Sequence, residues 1–256
     1  MKTRSSSSPL KVRSRTARIV HPGLGRREQN KRDKIERITR AAAELFTEKG
    51  FDAATTREIA QRAGVGSGTL FNFANDKRDL IFLIFVPQLD RLAEQSFGAV
   101  DPRDPLLEQF VKAVSVFYRE FAANPALARI LLKELAFYDR GKLAAAYLRN
   151  RMRLIGYFKE LVLAARRSGR VARGHDPGET ALAIFFLFAG ALRWWIASDK
   201  PKVSTGLAEL RKFLGPYIDG LASAANRRGP AKAPARNREQ RVLVFQRPRS
   251  QDKFVL

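Results

Sequence analysis

The sequence predicts an all-α fold, with a small three-helix unit followed by a larger helical unit and a basic tail at each end. Three observations predict it. Apolar residues recur at helical spacing, as in Phe110, Val114, Phe117 and Phe121. Helix start and stop signals punctuate the chain, among them Thr55 with Glu58, Gly50, Gly64 and Asn124-Pro125. Beyond Leu80, no stretch alternates apolar and polar residues as a half-buried strand does, and no repeat is evident.

Composition bounds the rest. The chain has 256 residues, 45% of them hydrophobic, enough for a sizeable core. There are no cysteines, which excludes disulfides and thiolate metal sites and fits a reducing cytoplasm. With His21 and His175 as the two histidines, no histidine-based metal site is expected. The formal charge is +23, and most of it lies at the ends. Residues 1–34 hold 11 basic and 2 acidic side chains, and residues 226–256 hold 9 and 2. Attraction to polyanions follows, weakening with salt. Residues 1–30 lack the apolar run of a secretory signal.

Residues 1–30 read as a disordered basic tail rich in serine and arginine. Its functional alternative is an arm along DNA, with Arg26, Arg27, Lys31 and Arg32 near phosphates. The first helix is expected from about Lys31 to Lys49, with Ile35, Ile38, Ala42, Leu45 and Phe46 on one apolar face. Gly50 ends it, and Phe51 can pack back on Phe46. Thr55 and Glu58 then form a capping box for a second helix whose inner face is Ile59, Ala60 and Ala63. Gly64 stops that helix where a positive φ is needed, and Val65 turns back into the core. A third helix follows, from about Gly66 to Phe73. A small crossing residue, a glycine turn and a buried valine are what a helix-turn-helix requires. Asn75 or Asp76 caps the fourth helix.

The pieces AAAELFTEKGFDAATTREIA, QRAGV, GTLFNF and DKRDL occur in order between Ile35 and Leu80. In this run the chain resembles the DNA-binding domain of TetR-family transcriptional regulators. The resemblance implies an N-terminal three-helix helix-turn-helix DNA-binding domain over residues 31–78. It also implies a helical ligand-binding and dimerisation domain over residues 79–225. Residues 226–256, rich in Arg, Pro and Lys and without helical periodicity, read as a basic disordered tail. Thr55, Thr56, Arg57 and Lys77 are the expected phosphate contacts, at a helix start and a neighbouring turn. Gly66, Ser67, Gly68, Thr69, Phe71, Asn72 and Phe73 lie on or beside the recognition helix, and Thr69 best matches a family DNA contact. Many relatives carry serine where Gly66 stands, and tyrosine or histidine where Phe73 stands. The recognition helix holds no lysine or arginine, so affinity is expected to rest on phosphates.

The larger unit reads as helices over about 80–97, bent at Pro87, then 105–123, 124–138, 141–168, 179–198 and 205–224. Ala181 to Ala197 is apolar nearly all round but short and broken by Arg193, so a helix buried on both sides is expected rather than membrane insertion. In the resembling family the last two helices of two subunits form the dimer interface, which implies a homodimer on a palindromic operator. The same family usually holds a small apolar ligand among these helices. Phe117, Phe121, Phe137, Tyr138, Tyr147 and Phe158 are the aromatic candidates for its pocket.

The expected function is a cytoplasmic, nucleoid-associated homodimeric repressor released from double-stranded DNA by a small molecule. The competing expectation is a DNA-coating or partner-recruiting protein of the same build that senses no metabolite. No phosphate-cradling glycine loop, metal cluster or nucleophile with a histidine partner is present, so neither an enzyme nor a cofactor is expected.

Overall fold

In the computed structural model, residues 25–222 are described except 136, 137 and 139. The expectations for residues 1–24, for Phe137 and for the chain beyond 222 lie outside the described residues. The described residues form α1 (Arg26–Lys49), α2 (Thr56–Ala63), α3 (Ser67–Phe71), α4 (Lys77–Gly98), α5 (Leu106–Ala123), α6 (Pro125–Glu134), α7 (Ala144–Arg167), α8 (Pro177–Ile196) and α9 (Val203–Gly220). Apart from one isolated bridge between Val171 and Ala222, no sheet pairing occurs among them.

Helix α1 begins at Arg26, five residues before the expected start, so residues 26–30 are not tail. Its first turns are polar and bury nothing, which is why no hydrophobic period marks them. Ile38, Ala41, Ala42, Leu45 and Phe46 form its buried face. At its end the Gly50 amide donates to the Phe46 carbonyl at 3.1 Å, and the Phe51 ring packs 5.2 Å from that of Phe46. Gly64 stands at φ 62°, a left-handed turn that a side chain strains against.

Helix α4 leaves this unit and enters the larger one, buried from Asp79 through Phe85. It continues through Pro87, and the Asn150 side chain of α7 donates to the Val86 carbonyl at 3.0 Å. Helix α5 is the centre of the larger unit, with residues buried around most of its circumference. It packs against α4, α9 and α6, and α7 and α8 pair with each other across it. Helix α9 crosses close at Gly206, where an added Cβ would lie 2.7 Å from atoms of Trp195 and Tyr118. Two arginine contacts tie distant segments. Arg129 donates to the Ile196 and Ser198 carbonyls at 2.8 and 2.6 Å, and Arg211 grips Glu108 with two 2.8 Å bonds.

Helix α8 departs from its expected burial. One face, with Ala181, Ile184, Phe188, Leu192 and Trp195, is buried. The opposite stripe, Leu182, Phe186, Gly190 and Trp194, is exposed at steps of four residues, and Trp194 is 71% exposed. The helix is long and apolar enough to cross a membrane, yet one face is packed as a core helix is.

Candidate functional site

The surface built by α2 and α3 starts from a closed capping box. The Thr55 hydroxyl accepts from the Glu58 amide at 3.2 Å, and the Glu58 carboxylate accepts from the Thr55 amide at 3.0 Å. The same hydroxyl donates to Glu58 at 3.0 Å, so it is already committed within the chain. The Lys49 ammonium bonds Glu58 as well. That bond first, then the two from Thr55, hold the Glu58 carboxyl down to about 2 from an ordinary 4.5. A carboxyl depressed by folding stabilises the folded form above its unfolded value, and this is lost as pH falls through the folded value. The box's contribution to stability should therefore be full above about pH 4.5 and fade below it, while in the folded chain the box itself stays closed until pH nears about 2. Amide-resolved NMR of Thr55 and Glu58 in the folded chain would read that step. Its appearance near 4.5, the ordinary value, would contradict this account of the carboxylate.

Helix α3 is short and carries no charged side chain. Leu70 is fully buried and anchors it. Gly66, Ser67, Gly68, Phe71 and Asn72 are exposed, while Thr69 and Phe73 are partly buried. Phe73 packs against the core, so its ring is turned from the face that Ser67 and Asn72 share with solvent. Thr56 is partly buried and Arg57 exposed at the start of α2. Lys77 is engaged at the other side of the unit. Its ammonium donates to the carbonyls of Phe51 and Asp52 at 2.8 and 2.9 Å and lies 5.0 Å from the Phe51 ring centroid. An ammonium has three hydrogens, so one remains for an outside acceptor. Asp76 rather than Asn75 caps α4, accepting from the Asp79 amide at 2.8 Å.

The larger unit holds a partly open cavity of about 290 Å³ between α4, α5, α6, α7 and α8. Of the aromatic candidates, Phe117, Phe121 and Tyr147 line it. Tyr138 and Phe158 do not. Tyr138 stacks on Phe82 and bonds Asp79, and Phe158 packs edge-on to Phe110 in the core. Phe185, Phe186 and Phe188 of α8 complete the aromatic wall. The polar groups on the lining are Asn150, Arg151, Arg193 and the Tyr147 hydroxyl. The Arg151 guanidinium sits 5.5 Å from the Phe185 ring centroid, and its buried Nε has no hydrogen-bond partner among the described residues. Burial pushes the Tyr147 hydroxyl up, opposed in part by the charges of Arg151 and Arg193. Sequence reasoning missed the arginines because a basic residue on a helix reads first as a solvated one. The signal for Arg151 was its place one turn after Tyr147.

Residues 38–84 match the model of bacterial regulatory proteins of the tetR family. Over these residues the chain carries the helix-turn-helix DNA-binding domain of that family, running from the buried face of α1 into α4. The HTH-type transcriptional regulator YhgD of Bacillus subtilis is 27% identical over 70% of this chain and 94% of its own length. The HTH-type transcriptional activator FasR of Mycolicibacterium smegmatis is 25% identical over 70% of this chain and 81% of its own. Thermus thermophilus FadR, a TetR-family repressor solved with lauroyl-CoA, superposes with a TM-score of 0.58 at 23% identity, covering 78% of this chain and 99% of that one. Bacillus subtilis FadR, solved with stearoyl-CoA, gives 0.58 at 19% identity over 72% and 98%. These superpositions show that the whole helical arrangement, not the N-terminal unit alone, is TetR-like.

Proposed function

We propose that this chain is a cytoplasmic homodimeric repressor of the TetR family that leaves a palindromic operator when an acyl thioester enters the α4–α5–α6–α7–α8 cavity. The observation that carries the reading is the cavity itself. It is apolar along its walls and carries two arginines with no acidic residue among its lining. Such a site suits a ligand with a long apolar body and an anionic head. FadR proteins of the same fold were solved with lauroyl-CoA and stearoyl-CoA, which supports the same class. The division of labour falls near residue 78, with α1 to α3 reading DNA and the remaining helices binding ligand and partner.

On the DNA side, Ser67, Gly68, Thr69 and Asn72 approach base edges in the major groove, and Gly66 and Phe71 flank them. The α2 start, with Thr55, Thr56 and Arg57, and the third hydrogen of Lys77 meet phosphates. In the dimer, the exposed α8 stripe of Leu182, Phe186, Gly190 and Trp194 faces its symmetry mate together with Phe213 of α9, which is 48% exposed. Nothing lies within 4 Å of a Cβ built at Gly190, which leaves room for a second helix to cross there.

The test is fluorescence anisotropy on a duplex from upstream of the protein's own gene, against a scrambled duplex, with and without lauroyl-CoA across a salt series. Strong preference for the native duplex, lost on adding lauroyl-CoA, is the expected result. Affinity that ignores both sequence and lauroyl-CoA would replace this reading with DNA coating, the alternative favoured by the lack of any basic residue in α3. Arg151→Met should raise the lauroyl-CoA concentration needed for release by about tenfold or more, the usual scale for losing a charge-assisted bond. Equal release by wild type and variant would remove the anionic head from that position.

A further inference from the structure

Helix α3 is weakly held by its own sequence. It has five residues, no side-chain cap at its start and one buried side chain, Leu70. Its far end is held from outside the DNA-binding unit, by the segment joining α6 to α7. The Lys142 ammonium bonds the carbonyl of Phe71, the last residue of α3. The Lys142 amide donates to both oxygens of Asp79, at 3.1 and 3.3 Å. Asp79 is 1% exposed. It also accepts from the Asn75 amide, in the turn between α3 and α4, at 2.8 Å, and from the Tyr138 hydroxyl at 2.6 Å. The Leu143 amide donates to that hydroxyl at 3.1 Å. The fit is close enough to demand glycine at 141, where a Cβ would lie 2.2 Å from both an Asp79 oxygen and the Tyr138 hydroxyl.

We infer that Lys142 and Asp79 form a latch that positions α3 for reading DNA, and that the latch is how the cavity reaches α3. The second half rests on the function proposed above. Its path is short. Tyr147 lines the cavity, and its ring lies 5.5 Å from Phe82 and 6.4 Å from Tyr138, whose hydroxyl is on Asp79. Leu132 of α6 and Leu135, the C-cap through which that helix leads into the latch segment, line the same cavity. A ligand that displaces Tyr147 or the end of α6 therefore strains the Asp79 bonds before it touches anything in the DNA-binding unit. Binding energy in the cavity then appears as a changed placement of α3, a coupling between two sites.

Lys142→Met in the full chain tests this, because it keeps the stem of an exposed side chain and removes only the ammonium. Three quantities are read: affinity for the operator and the scrambled duplex across salt, the loss of operator affinity caused by lauroyl-CoA, and lauroyl-CoA affinity without DNA. Preference for operator over scrambled duplex is expected to fall about tenfold, with the salt slope and the DNA-free ligand affinity unchanged. The effect of lauroyl-CoA on operator affinity should shrink with it. A direct phosphate contact by Lys142 would instead weaken both duplexes alike and lower the salt slope by about 1. That result, or a preference unchanged within about twofold, overturns the latch. If lauroyl-CoA moves neither wild type nor variant, the ligand reading fails, and the positioning of α3 is still decided by the DNA preference alone.

Discussion

Asp79→Ala should lower stability by about 3 kcal/mol or more, because it strands three donors at once. The Asn75 amide, the Lys142 amide and the Tyr138 hydroxyl all end on its carboxylate, which is buried to 1% exposure. Each buried donor left without an acceptor costs about 1–3 kcal/mol, and the removed atoms leave a gap that apolar neighbours do not fill. For a domain of this size, about 3 kcal/mol is roughly 6–12 °C in Tm. Asp79→Asn should fall between alanine and wild type. Its oxygen can still take the Asn75 amide, but its NH2 then faces the Lys142 amide and a Tyr138 hydroxyl that already accepts from Leu143. Thermal melts of the three proteins side by side give the order. An alanine variant melting within about a degree of wild type would mean that water substitutes for the carboxylate, and that Asp79 does not hold α3, α4 and the α6–α7 segment together.

What could be read from the sequence is what depends on neighbours in the chain. Thr55 and Glu58 are three residues apart, so their capping box follows from spacing alone, and it is present. Gly64 marks the left-handed turn, because helix geometry there excludes a Cβ without strain. Contacts between distant segments were not readable. Lys77 was expected to await a phosphate, yet its ammonium reaches two carbonyls 26 and 25 residues away. Helical spacing says which residues turn inward but not what they meet. So Phe117, Phe121 and Tyr147 fell on the cavity while Phe158, at an equally good spacing, fell in the solid core. Helix α8 shows the same gap. Its composition is apolar all round, which suggests burial on both sides, but within one chain only one side is covered.

That uncovered side makes the largest prediction about DNA. If the proposed dimer forms through this stripe, Trp194→Glu should convert it to monomer and weaken operator binding by about a hundredfold or more. A two-fold interface repeats each residue, so one substitution places two carboxylates in the same apolar seam. Among the described residues Trp194 is the most exposed of the large apolar side chains, at 71%, and it stands on the stripe with Leu182, Phe186 and Gly190. A monomer still carries one α3, but it loses the second, tethered half-site, and such tethering is worth about 10²–10⁴ in overall affinity. The effect should be largest on the two-half-site duplex and slight on a single half-site, which separates lost dimerisation from damage to α3. Trp194→Phe, which keeps an aromatic in the seam, should restore both dimer and affinity. Sedimentation equilibrium alongside anisotropy reads the two together. If Trp194→Glu stays dimeric and binds as wild type does, α8 does not form the interface, and the stripe must serve some other surface.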